Sequence, residues 1–276
     1  MKELIILTES RLKDLYYDDL NLKESLNRRG IEIQARDWQS YRPIEGDRIL
    51  IRTPWNYSLF KEDFLSLLNL IESKKCKVYN PVDLIRWNLN KRYLEELQKS
   101  GIKVVPTTYV DSFSLKNLDA IEFPFVVKPI VGASGRDTFL IKGSSDLSKL
   151  EVLYNQAVMI QPFVESIKSE GEFSFIYFDN EFSHAVQKTA KEGEFRIQDE
   201  HGGSVKAYNP TDEEISKVNK MLKLTNRSFL YVRVDVVIFN DDLYLMELEA
   251  FEPELFFRFH KESSEEFARK IEEFLF

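Results

Sequence analysis

Tyr231-Val232-Arg233-Val234-Asp235-Val236-Val237-Ile238-Phe239 turns at Asn240-Asp241-Asp242 and returns as Leu243-Tyr244-Leu245-Met246-Glu247-Leu248-Glu249. The two apolar runs read as a β-hairpin carrying four charges where only apolar residues are expected. Strand side chains alternate faces, so Arg233 and Asp235 share one face, as do Glu247 and Glu249. A three-residue loop over 240–242 sets Phe239 opposite Leu243, Asp235 opposite Glu247 and Arg233 opposite Glu249. Three acids beside one base on a hydrophobic hairpin are costly unless a cation sits among them. Carboxylate oxygens are the ligands magnesium prefers, and magnesium is usually shared between one or two protein carboxylates and substrate phosphates. The hairpin therefore points to a nucleotide, against the plainer alternative of a solvated outer face.

A chain of 276 residues, 43% apolar and 30% charged, is long enough for two compact units or one large one. A net charge of -8 and an isoelectric point near 5.2 lack the basic footprint of a nucleic-acid binder. The single Cys76 excludes an internal disulfide framework. The apolar run Leu4–Leu7 is too short for a signal sequence and no apolar run reaches 18 residues, so the expectation is a cytoplasmic protein without a membrane partner.

From the N-terminus, residues 4–7 read as a buried strand, and Leu15, Leu22 and Leu26 as one helical face closing at Gly30. Strands follow at Ile31–Ala35 and Arg48–Arg52, then a helix through Phe60, Phe64, Leu67, Leu68 and Ile71, and a short strand near Val78. This β-α-β alternation implies a small parallel sheet flanked by helices. A helix over Asn90–Lys99 stops at Gly101, and the texture then turns to strands: Phe125–Lys128, Thr138–Ile141, Val158–Gln161, and Glu172–Phe178 paired with Glu181–Gln187 around Asp179-Asn180. Capping boxes at Thr211/Glu214 and Ser263/Glu266 start two late helices. The fold class is α/β followed by α+β.

Phe123-Pro124-Phe125-Val126-Val127-Lys128-Pro129 is an apolar strand ending in lysine, followed by Val131-Gly132-Ala133-Ser134-Gly135-Arg136-Asp137-Thr138. A lysine at the end of a buried strand needs an anionic partner, and a Gly/Ser turn offers backbone N–H groups to phosphate. The lysine precedes the glycines, so this is neither a Walker A loop nor a dinucleotide fingerprint.

At these residues the chain resembles the ATP-grasp enzymes, on the branch of glutathione synthetase, the ribosomal-protein glutamate ligase and D-alanyl-D-alanine ligase. The similarity runs through Asn88-Leu89-Asn90-Lys91-Arg92-Tyr93, Gly101-Ile102-Lys103-Val104-Val105-Pro106-Thr107, Val127-Lys128-Pro129, Ile160-Gln161-Pro162-Phe163-Val164, Arg233-Val234-Asp235 and Glu247/Glu249. It implies an ATP-grasp fold with an N-terminal α/β domain (1–83), a central subdomain with the phosphate loop (84–161) and a C-terminal subdomain with the metal site (162–276). It implies Lys91, Lys128, Gly132, Ser134 and Gly135 as phosphate contacts, and Gln161, Phe163 and Val164 as the adenine hinge. Glu172 would be the ribose partner, Asp235, Glu247 and Glu249 the metal ligands, and Arg233 and Arg196 catalytic. ATP and Mg2+, or Mn2+ in its place, are the implied cofactors.

Glu249 departs from the family pattern, standing where Asn is usual, which leaves the number of metal ions open; His201 belongs to no metal spacing and reads as a surface or locally hydrogen-bonded histidine, with a substrate contact second. Arg52-Thr53-Pro54-Trp55-Asn56-Tyr57, Asn80-Pro81, Ile85-Arg86-Trp87-Asn88 and Glu252-Pro253-Glu254-Leu255-Phe256-Phe257 are similar to the ATP-grasp ligases of the D-cycloserine pathway type, in which an O-ureidoserine is cyclised. That motif has Asp at the place of Asn56. Read without the family, Trp55 and Tyr57 are packing residues at a strand end; the resemblance sets substrate contact beside packing as an equal alternative. The resemblance implies an ADP-forming ligase that joins a small-molecule carboxylate to an amine through an acyl phosphate, as a homodimer. The alternatives are a peptide-modifying ligase and an ATP-binding regulatory protein without turnover.

Overall fold

The computed structural model describes residues 2–12, 14–191 and 202–276. Strands β1 (Lys2–Thr8), β2 (Ile31–Asp37), β3 (Arg48–Thr53) and β4 (Lys77–Tyr79) form a parallel sheet in the order β2-β1-β3-β4. The connecting helices are α1 (Leu20–Arg28) and α2 (Lys61–Ser73). Leu22 and Leu26, one turn apart, put α1 on the sheet, and Gly30 ends it with φ near +72°. Leu15 is buried with them but precedes the helix, which starts five residues later than its leucine spacing suggests. A 3-10 turn at Tyr17–Asp19 intervenes because Asp18 is spent on the backbone N–H groups of Phe257 and Arg258 (2.8 and 3.0 Å). Phe60 caps α2 from outside and is 41% exposed, whereas Phe64, Leu67, Leu68 and Ile71 are buried.

An unexpected helix, α3 (Val82–Leu89), precedes the one expected over Asn90–Lys99, which is α4 (Tyr93–Lys99) and starts three residues late. The chain breaks at 90–92, where the Lys91 N–H donates to the Ile130 carbonyl (3.0 Å), so Lys91 sits buried in a bend rather than on a solvated helix. A second, antiparallel sheet follows from β5 (Thr108–Val110), β6 (Phe125–Pro129), β7 (Phe139–Ile141) and β8 (Val158–Pro162), in the order β5-β8-β6-β7.

Residues 161–164 lead through α5 (Ser166–Ser169) into a five-stranded antiparallel sheet of β9 (Glu172–Phe178), β10 (Glu181–Thr189), β11 (Ser204–Tyr208), β12 (Tyr231–Phe239) and β13 (Asp242–Glu249), in the order β11-β10-β9-β12-β13. The hairpin β12–β13 pairs Arg233 with Glu249 and Asp235 with Glu247, as expected, by an unexpected route. Its loop is the two residues Asn240 and Asp241, both at positive φ, and the residue so lost is restored by a bulge at Met246. Asn and Asp tolerate that left-handed backbone better than other non-glycine residues, which lets a two-residue loop replace the three-residue one.

The free edge of β13 is closed by side chains and by one chain segment. Asn88 donates to the Leu248 carbonyl and accepts from the Ala250 N–H, both at 2.8 Å, so its amide stands in for a neighbouring strand. Tyr93 Oη accepts from the Leu248 N–H (2.7 Å) and lies 2.9 Å from its carbonyl. Leu245 bonds with Lys103 and Val105. Asn80 ties the Tyr231 carbonyl and the Leu230 N–H, at 2.8 and 2.7 Å.

Helix α6 (Asp212–Leu224) begins with the expected Thr211/Glu214 box. Helix α7 (Ser263–Leu275) does not use the second expected box: Ser263 is already inside the helix, its hydroxyl donates to His260, and Glu266 accepts from Ser183 instead. Phe267, Ile271 and Leu275 face inward from α7 and join Leu4, Ile6, Leu22 and Leu26 to Ile176, Phe178 and Tyr231 in one core. No helix among the described residues is long and apolar enough to cross a membrane.

Candidate active site

A cleft of about 320 Å³ is lined by residues of the two antiparallel sheets, the 132–138 turn and the N-terminal segment. Every described residue singled out from the sequence as a site residue lies on its wall: Lys91 and Lys128; Gly132, Ser134 and Gly135; Gln161, Phe163 and Val164; Glu172; and Arg233, Asp235, Glu247 and Glu249. Arg196 and His201 lie outside the described residues.

The hairpin charges form a connected array. Arg233 Nε and Nη2 donate to the two oxygens of Asp235 at 2.9 and 2.8 Å, and Nη2 also donates to Glu249 (2.6 Å). Asp235 further accepts from the Ser174 hydroxyl (2.5 Å) and lies 3.4 Å from Lys188 Nζ. Burial alone would raise the Asp235 carboxyl, but Arg233 and Lys188 outweigh it and hold it well below the usual range. Glu249 goes the other way: burial, with Asp235 and Glu247 nearby, pushes it up to about 7 against the pull of Arg233. Glu247 is paired with Lys91, whose ammonium stays protonated despite burial because of that carboxylate. The cations that the hairpin demands are thus partly supplied by lysines from other elements.

Lys128 differs from Lys91. Among the described residues its ammonium has no hydrogen-bond or ion-pair partner, and burial lowers its pKa, with Lys91 adding to the effect and Glu247 opposing it. Arg136 Nη1, in the adjoining turn, is also buried without a partner among the described residues. The turn holds Ser134 and Gly135 at positive φ. Two cations and a backbone turn facing one cavity without a counter-ion make an anion site. Gln161 is fixed by its side-chain bond to Thr107 (2.9 Å), and Phe163 by its backbone bond to Pro124 (3.0 Å). Glu172 reaches the cleft wall already paired, with Lys188 at 2.5 Å.

Lys188 is the main residue that sequence reading missed. It is buried between Glu172 and Asp235, and both carboxylates keep it charged against burial. Trp55, read as packing, lines the cleft, and its indole N–H donates to the Glu252 carbonyl (2.9 Å). Tyr57 is fully buried, with its hydroxyl 2.8 Å from Glu252 Oε1 and 3.3 Å from the Gly132 carbonyl. Burial, together with Glu249, raises Glu252 well above the usual carboxylate range. Asn56 does not line the cleft; it bonds Trp38 and Gln39.

The donor set suits a hard divalent cation in part. Glu247 and Glu249 each engage their cation through Oε1 and keep 22% and 20% side-chain exposure, while Asp235, at 4%, is wrapped by Arg233, Ser174 and Lys188. No group of three or more acid, His or Cys side chains among the described residues is already placed to hold an ion. Hard carboxylate oxygens on Glu247 and Glu249, crowded enough to raise Glu249, fit magnesium.

A family profile for the RimK-like ATP-grasp domain matches residues 90–275, and one for the N-terminal domain of D-cycloserine synthetase DcsG matches residues 4–80. The chain belongs to the RimK-like ATP-grasp family and is an ATP-grasp ligase. Within that class it is similar to the cycloserine biosynthesis protein DcsG of Streptomyces lavendulae, 30% identical over 203 residues that cover 68% of this chain and 67% of that protein. The crystal structure of D-cycloserine synthetase DcsG superposes with a TM-score of 0.84 at 24% identity, covering 99% of this chain and all (100%) of the other. D-alanine–D-alanine ligase from Bacillus anthracis gives 0.71 at 16% identity over 100% and 97% of the two chains, and the ATP-grasp ligase PsnB, complexed with a minimal precursor, gives 0.66 at 17% over 99% of each.

Proposed function

We propose that the protein is an ADP-forming carboxylate–amine ligase acting on an amino-acid-like small molecule through an acyl phosphate. The observation that carries this is Lys128: an ammonium without a counter-ion, beside Arg136 and the 132–138 turn, in the cleft that also holds the Arg233–Asp235–Glu247–Glu249 array. On this reading Lys91, Lys128 and the backbone at Gly132, Ser134 and Gly135 hold the phosphates of ATP. The hinge at Gln161, Phe163 and Val164 takes the adenine, and Glu172, anchored by Lys188, faces the ribose. Glu247 and Glu249, with Asp235 behind them, would hold magnesium, which when bound screens the phosphate charge during transfer of the γ-phosphoryl group to a carboxylate. Arg233 is fixed by Asp235 and Glu249, and Arg196 joins it, to stabilise charge on the acyl phosphate as the amine displaces phosphate. Loss of one such donor typically costs about 10²- to 10³-fold.

Similarity to DcsG over both segments of the chain favours a small amino-acid-like substrate over a peptide, and a cytoplasmic setting accords with it. The test is phosphate release from ATP and magnesium against pools of amino acids and small carboxylates, with Asp235→Asn and Glu247→Gln alongside. Substrate-dependent release that both variants lose is the expected result. Normal turnover in either variant would remove the metal assignment, and release elicited only by peptides would move the substrate to the peptide-modifying branch.

A further inference from the structure

One wall of the cleft takes no part in the nucleotide reading. It is built by Tyr16 and Trp55, whose rings meet edge to face at 4.9 Å, and by Glu252 and Glu254. Glu254 is engaged through Oε1, which Arg258 binds and to which the Tyr16 hydroxyl donates at 3.2 Å. Glu252 is held just as firmly on one side only. Its main-chain carbonyl accepts from Trp55 and its Oε1 from Tyr57, but Oε2, on a residue 6% exposed, has no partner among the described residues. Buried carboxylate oxygens without a donor are rare in native proteins. Glu9 Oε2 and Asp19 Oδ2 are also buried without a partner among the described residues, but of the three only Glu252 lines the cleft, where a bound molecule can supply the donor. The same segment, which follows β13, touches the reacting end of the site, because Arg233 Nη1 donates to the Glu254 carbonyl (3.3 Å).

We propose that Glu252, beside Trp55, binds the second substrate, a primary ammonium on a small molecule, and accepts one of its protons, so that the neutral amine is held toward the carbonyl activated next to Arg233. Burial and Glu249 raise the Glu252 carboxyl, and an ammonium beside it brings the opposite charge that favours the carboxylate; the acid then supplies the acceptor and the indole a polarisable face. The inference rests on the ligase reading for the identity of the reaction, but not for the binding event.

The experiment uses propylammonium chloride as the probe and 1-propanol as its neutral counterpart, followed by tryptophan fluorescence in the presence of ADP and magnesium. Trp55→Phe separates the Trp55 signal from those of Trp38 and Trp87. The expected result is a saturable response to propylammonium and none to propanol, weakened at least tenfold in Glu252→Gln, which keeps the acceptor for Tyr57 and turns an amide N–H toward the amine. ADP binding by the variant, unchanged from wild type, shows that it is folded; Glu252→Asp replaces it if it is not. Equal responses to ammonium and alcohol, no saturable response, or a wild-type titration in the variant would overturn the proposal. Loss of ADP binding by the wild-type protein with an intact ammonium response would instead overturn the nucleotide reading and leave this one standing.

Discussion

Lys128→Met separates what the lysine does for the nucleotide from what it does to the fold. Methionine matches its length and removes the charge. In the absence of nucleotide the Lys128 ammonium is partly desolvated and unpaired among the described residues. An uncompensated polar group of this kind costs about 1–3 kcal/mol, and because Lys128 borders an open cleft the low end applies. The substitution should therefore stabilise the nucleotide-free protein by about 1 kcal/mol, or roughly 2–4 °C in Tm for a chain of this size. It should also remove a charge-assisted contact to phosphate worth about 1.5–3 kcal/mol, or roughly 10- to 150-fold in ADP affinity. Differential scanning fluorimetry with and without ADP and magnesium reads both effects at once: a higher baseline Tm and a smaller ligand-induced shift. A lower baseline together with an undiminished shift would mean that Lys128 has a structural counter-charge and no phosphate contact.

Lys188→Met leaves Glu172 and Asp235 buried beside a missing cation and should cost about 3–5 kcal/mol in urea unfolding, with Lys188→Met/Glu172→Gln recovering much of it; equal loss in both would deny the pairing. His184 is buried with Nε2 against the Leu255 carbonyl at 2.9 Å, and burial lowers its pKa from 6.5 to about 4. The unfolded chain therefore takes up this proton first on acidification, so the contribution of His184 to stability is complete above pH 6.5 and falls by about 3 kcal/mol on the way to pH 4. His184→Asn should flatten that part of the pH–stability curve, and parallel curves for the two proteins would refute it.

The charged face of the hairpin was legible because its pairing depends on a net count, and two departures cancelled: a loop one residue shorter than read, and a bulge at Met246. The other hairpin shows why Lys188 was not. Strict alternation away from Asp179-Asn180 sets Gln187 opposite Glu172; the bulge at Ser183 moves Lys188 there instead. A bulge is written in backbone hydrogen bonding rather than in residue type, so the pattern of alternation cannot reveal it. Lys91 was found through family resemblance and its setting was misread, because the break between α3 and α4 is fixed by Ile130, far along the chain. The early strands and most of α1 and α2 followed from periodicity alone, since their apolar faces meet one sheet.

The asparagines along β13 bear on how the protein is made. The strand carrying Glu247 and Glu249 emerges late in synthesis, yet its outer edge is finished by Asn88, and the adjoining strand starts are fastened by Asn80, both translated some 150 residues earlier. Both asparagines lie upstream of the segment that matches the ATP-grasp domain, residues 90–275. Cut at that boundary, the domain would keep Lys91, Lys128 and the hairpin charges but lose part of the cover on its last strand, and a bare strand edge invites pairing with another chain. Two side chains that precede the matched domain thus finish the edge of the strand on which its chemistry depends.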